Sequence, residues 1–185
     1  MIDRLHTTIM STMNYINNMI FFLPACMLCP QFQASFNLEK SMWTGELLNE
    51  IIKNSQGIIQ MPCPESVFCN DGCGIGRKNH GVSYYEKLEG FTDYCYELAS
   101  QTADMVDQFM QRAKAQCVIV GIEHSPTCAV NYIYMGKKGT VHRMGIYMNA
   151  LDEELKKRNL LVEYIGVNRR FPRTALKRIL ELSKE

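Results

Sequence analysis

No stretch of the 185-residue chain approaches the roughly 18 consecutive apolar residues that a membrane span needs. A surplus of one charge is missing too: 20 Lys and Arg stand against 19 Asp and Glu, a net of +1. With no acidic or basic tail, charge alone points to no nucleic-acid partner. There is no internal repeat and no low-complexity segment, so one domain is the economical reading. A Walker lysine motif is absent. The glycine run Gly72-Cys73-Gly74-Ile75-Gly76 lacks the strand-then-helix placement and final spacing of a dinucleotide fingerprint.

What the chain does have is eight cysteines. That is too many to ignore, in a chain long enough to bury a full core without disulfide staples. In an intracellular protein such cysteines read first as metal ligands or catalytic thiols. If the protein were exported they could pair instead. Residues 16–26, INNMIFFLPAC, resemble a signal peptide ending in a lipoprotein-type Leu-Pro-Ala-Cys at Cys26. Only Arg4 is basic ahead of it, and Asn14, Asn17 and Asn18 interrupt the apolar run. The remaining core, 19–23, is shorter than the roughly 7–15 residues an h-region requires. The preferred reading makes 19–23 the first buried strand, 1–17 an N-terminal extension, 18–185 the domain, and the compartment cytoplasmic.

Apolar runs alternate with helical patterns. Strands are predicted at 19–23, 58–61, 117–122 and 160–167, each rich in continuous apolar residues. Helices are predicted at 44–54, with Leu47, Leu48, Ile51 and Ile52 on one face, at 92–114, at 146–158, and after Pro172. Residues 70–83 and 131–145 read as loops. Strand–helix alternation implies an α/β fold: a single-domain, three-layer sandwich with a mostly parallel, Rossmann-like sheet.

Parallel sheets bind ligands beyond the carboxyl ends of their strands. Cys26, Cys63 and Cys128 each lie just past one of the first three strands, so topology brings them to one edge. Three thiolates suit a soft metal, above all an iron–sulfur cluster or zinc. Structural zinc usually takes four ligands, and only three strand-end loops carry a suitable cysteine. Three thiolates on a four-iron cluster leave one iron without a protein ligand, free to act as a Lewis acid. The competing reading is three small buried hydrophobic cysteines. Cys95 and Cys117 read as core. Cys29 makes a Cys-x-x-Cys with Cys26, open to a redox pair or a fourth ligand. Cys69 and Cys73 sit in the glycine-rich loop, open to a disulfide or a second metal contact.

Around that site, Glu65 follows Cys63 by two residues and is a candidate acid or base, against a solvated loop glutamate. Ser125 is a candidate donor or proton relay, against a turn residue before Pro126. His124 is a further acid–base candidate. Asn131, Tyr132 and Tyr134 could line a pocket for a flat heterocycle or belong to the core. Arg77, Lys78 and His80 read as solvated loop, with a phosphate contact as the alternative.

Pro24-Ala25-Cys26-Met27-Leu28, Cys63-Pro64-Glu65 and Ser125-Pro126-Thr127-Cys128, in that order, resemble the thiouracil desulfurase family, formerly a domain of unknown function. The resemblance covers roughly residues 19–150, with Gly136 and Gly145 in its last part. It differs at Pro24, Cys29 and Ala129, where that family carries Ser, Gly and Gly. It implies a 4Fe-4S cluster on Cys26, Cys63 and Cys128 and removal of sulfur from a thiocarbonyl substrate by water, without net redox change. Glu65 and Ser125 would be the acid–base or substrate-positioning groups. The implied partner is a small thiolated heterocycle, with a thiolated base in transfer RNA the one nucleic acid left open. The alternative function is a non-catalytic iron–sulfur or metal protein, such as a sulfur carrier or redox sensor.

Overall fold

The computed structural model describes residues 18–34, 44–68, 78–135 and 138–184. The predicted extension 1–17 and the loop bearing Cys69, Cys73 and Arg77 lie outside the described residues, as does Gly136.

Four parallel strands form the sheet: β1 (Met19–Pro24), β2 (Gly57–Met61), β3 (Gln116–Ile122) and β6 (Glu163–Val167), in the order β2-β1-β3-β6. β1 lies in the middle and every one of its residues is buried. That is why MIFFL is continuously apolar: a strand covered on both faces has no solvent side to alternate with.

The strand pleat divides its side chains between two helix layers. Ile20 and Phe22 of β1, with Cys117 and Ile119 of β3, pack under α5 (Phe91–Arg112) and α6 (Ile146–Lys157). Phe21 and Leu23, with Val118 and Val120, pack under α2 (Thr44–Lys53) and α7 (Arg173–Leu182). The result is the expected three-layer α/β sandwich. Each of these phenylalanines is fully buried, a gain of roughly 1.5–3 kcal/mol per side chain.

Several local expectations are corrected. The fourth strand starts at Glu163, not 160. Asn159 ends α6 in the left-handed conformation at φ 55°, and the Leu160 amide returns to the Leu155 carbonyl, so 160–162 are committed to the helix stop. Ile52 is 61% exposed although the pattern placed it on the apolar face, because Leu47 and Ile51 already fill the contact. Within 131–145 a hairpin forms from β4 (Tyr132–Tyr134) and β5 (Thr140–His142). Three four-residue helices add to the plan: α1 (Ala25–Leu28), α3 (Pro64–Val67) and α4 (Val82–Tyr85).

Candidate metal centre and active site

Each cysteine is delivered by the end of a strand. Cys26 lies in α1, directly after β1; Cys63 stands between β2 and α3; Cys128 lies in the loop after β3. All three line one cavity of about 810 Å³, together with Glu65, Ser125 and Thr127. Its volume falls in the roughly 300–1,000 Å³ range of small-molecule sites. Burial, then the neighbouring Cys63 and Cys26, push the Cys128 thiol well above its ordinary value; its hydrogen bond with Thr127 works in the opposite direction. Cys63 and Cys26 are thus both within electrostatic reach of the Cys128 sulfur.

Among the described residues no group of three or more His, Cys, Asp or Glu side chains is placed to hold a single metal ion. A zinc ion with sulfur ligands at about 2.3 Å needs those ligands nearly touching. A cluster takes each thiolate on a different iron and accepts a wider spacing. By donor chemistry the three thiols suit an iron–sulfur group and not a hard cation. The six described cysteines are all thiols. Cys29 points its thiol at the Gln31 side-chain oxygen Oε1, 3.1 Å away, and does not line the cavity. Cys95 and Cys117 are fully buried in the core, as expected.

The Cys128 loop is held from four directions. Ser125 Oγ accepts the backbone amides of Thr127 and Cys128 at 3.3 and 3.0 Å, so its role as a turn residue is realised. The Pro126 and Thr127 carbonyls accept the amides of Ile146 and Met148, each at 3.0 Å, and so satisfy orphan donors in the first turn of α6. Gly145 makes this seating possible: a Cβ there would lie 2.4 Å from the Thr127 carbonyl carbon. Finally, the Thr127 hydroxyl donates to Glu65 Oε1 at 2.6 Å, joining the loops after β2 and β3.

Glu65 is 5% exposed and not a solvated loop residue. Its second oxygen, Oε2, accepts the Tyr85 hydroxyl at 3.0 Å. Two neutral donors therefore hold a buried carboxylate at the cavity wall. Thr127 Oγ1 also stands 3.5 Å from Cys128 Sγ, so Tyr85, Glu65, Thr127 and Cys128 form one continuous polar chain.

His124 also lines the cavity. It adopts the left-handed conformation at φ 69°, is exposed, and meets Thr140 Oγ1 through Nδ1 at 3.4 Å. Of the three hairpin candidates only Tyr134 reaches the cavity. Tyr132 packs edge-on against His142, and Asn131 donates to Glu123. Lys78 is exposed and His80 stacks on Tyr84 at 3.9 Å; neither lines the cavity.

Sequence reasoning missed Glu123, which is 6% exposed and lines the cavity. It accepts the Asn131 side-chain amide at 2.8 Å and the Tyr132 backbone amide at 2.8 Å, closing the loop that carries Ser125 and Cys128. Gly166 of β6 makes room for it, since a Cβ there would lie 1.7 Å from its Oε1. It also missed Thr127, although the residue stands inside the Ser-Pro-Thr-Cys motif. The rim formed by Asn168, Arg169, Arg170 and Phe171 went unread as well. The strand-end rule applied to the fourth strand, as to the first three, finds that rim.

No protein-family model matches the chain, and no solved structure matches it. Over 120 residues it is 26% identical to an uncharacterized protein of Methanocaldococcus jannaschii, a stretch covering 65% of this chain and 67% of that protein. The likeness carries no activity with it.

Proposed function

We propose that the protein is a 4Fe-4S-dependent desulfurase that replaces the sulfur of a thiolated nucleobase, or a similar thiocarbonyl heterocycle, with oxygen. The observation that supports this most is the lining of one cavity by Cys26, Cys63, Cys128, Glu65 and Ser125. The ordered motifs that carry those residues point the same way. The reaction balances without redox change: C=S and water give C=O and hydrogen sulfide.

Cys26, Cys63 and Cys128 would hold the cluster. When bound, it supplies one iron with no protein ligand, a Lewis acid soft enough for sulfur. The remaining chemistry belongs to the chain. Glu65, fixed through both oxygens by Thr127 and Tyr85, accepts a proton from the attacking water as general base. With two backbone amides occupying its lone pairs, Ser125 Oγ can only donate, and its one hydrogen is shared between Thr127 Oγ1, 3.4 Å away and itself donating to Glu65, and a substrate in the cavity. Six described thiols suit a reducing compartment, the cytoplasm. No helix among the described residues is long and apolar enough to cross a membrane.

The test is anaerobic reconstitution with iron and sulfide, followed by sulfide release from 2-thiouracil and a panel of thiolated bases. Wild type should release sulfide, C128A should fail to hold the cluster, and E65Q should keep the cluster and lose turnover. An intact cluster with no sulfide from any thiolated base removes the catalytic reading.

A further inference from the structure

The cavity rim carries an aromatic side chain that the chemistry above does not use. Phe171 is 68% exposed, while Phe21, Phe22 and Phe91 are completely buried. It lines the same cavity as the three cysteines. Single exposed apolar residues are ordinary on protein surfaces. This one differs in how firmly the backbone presents it.

Phe171 lies in the short turn between β6, which ends at Val167, and α7, at the same carboxyl edge of the sheet as the cysteine loops. Its amide closes a tight turn onto the Asn168 carbonyl at 3.0 Å. The Asn168 side chain accepts the Arg170 amide at 2.9 Å, a second bond inside the same four residues. Pro172 comes next, with φ at −68°, and opens α7. The backbone that carries the ring is therefore ordered before any ligand arrives, which keeps the entropic cost of binding low.

We infer that Phe171 is a specificity-determining residue of this site: its ring stacks on a planar heterocycle and selects it over an aliphatic thiocarbonyl. The inference rests on the desulfurase reading of the cavity. A phenylalanine offers no hydrogen bond, so it reads the flat face of a ring and not its polar edge, and it tolerates different bases. Edge recognition is left to polar groups of the same rim, such as Gln33, Asn168 and Arg169. Of these, Arg169 donates to the Gln33 side-chain oxygen Oε1 at 3.1 Å, tying the loop after β1 to the loop after β6. Tyr134, 44% exposed, is the second aromatic on the lining.

The experiment compares the reconstituted wild type with F171A, F171L and F171Y on 2-thiouracil and on thioacetamide, which has no ring. In F171A the ratio of kcat/KM for 2-thiouracil to that for thioacetamide should fall roughly tenfold, the scale of one base–aromatic stack. The loss should sit mainly in KM. F171Y should restore the ratio and F171L should not. An unchanged ratio in F171A, or full restoration by leucine, overturns the inference. If wild type turns over neither compound, equilibrium dialysis of uracil decides the ring-binding role separately from the reaction. Weaker retention by F171A sustains that role, and equal retention, or none by wild type, overturns it.

Discussion

Replacing Gly145 with alanine would put a Cβ 2.4, 2.5 and 2.8 Å from the carbonyl carbon, carbonyl oxygen and amide nitrogen of the 127–128 peptide unit. All three are backbone atoms, so no side chain can rotate away. Either α6 retreats and stretches the Ile146 and Met148 hydrogen bonds, or the Cys128 loop moves. Overpacking of this kind costs roughly 1–3 kcal/mol, and the backbone character of the contacts puts G145A in the upper half of that range. For a chain of this length that corresponds to a fall in Tm of roughly 4–12 °C. The control is G45A: nothing lies within 4 Å of its new Cβ on the exposed side of α2. The helix-propensity gain there should hold or raise stability by up to about 1 kcal/mol. Thermal melts of the metal-free proteins read the first effect. Iron content after anaerobic reconstitution reads the second, because displacing Cys128 should lower iron retention in G145A alone. A G145A protein that melts with wild type and binds iron fully would refute the claim that α6 clamps the cysteine loop.

Three further outcomes are expected. T127V removes the hydroxyl that donates to Glu65 and leaves a buried carboxylate with one donor fewer, at a cost of about 1–3 kcal/mol; T127S should recover most of it, and equal melting of T127V and wild type would count against the link. C29A should retain the iron content of wild type, since Cys29 does not line the cavity; a loss comparable to that of C128A would make Cys29 a ligand. Burial pushes the Cys117 thiol from 9.0 up to about 11. Above the unfolded value the unfolded chain gives up this proton while the folded one keeps it, so the contribution to stability is complete below pH 9 and falls as pH rises toward 11. The slope is at most about 1.4 kcal/mol per pH unit, and denaturant midpoints of C117V should decline less steeply over that window. A slope identical to that of wild type would refute the assignment.

The strands and the site were legible to different depths. Continuous apolar runs marked β1 and β3 because both are covered on two faces, and that condition leaves a direct trace in composition. The hairpin left no such trace: its outward residues Tyr132, Tyr134 and all of β5 are exposed, and only Ile133 is buried. Cys26, Cys63 and Cys128 were legible as a group because a parallel sheet sends every strand's carboxyl end to one edge.

Sequence by itself therefore determined the fold class, the strands of the sheet, and which cysteines share an edge. Those properties follow from local hydrophobic period and from chain direction, and both are written residue by residue. Only the tertiary structure decided that Glu65 is buried against Thr127 and Tyr85, that Glu123 closes the Cys128 loop over Gly166, and that Cys29 lies off the cavity. Each of these depends on contacts between segments far apart in the chain, or on the direction of one short side chain. Cys26 and Cys29 look alike in the sequence, and only the direction of each side chain shows that the first lines the cavity and the second does not.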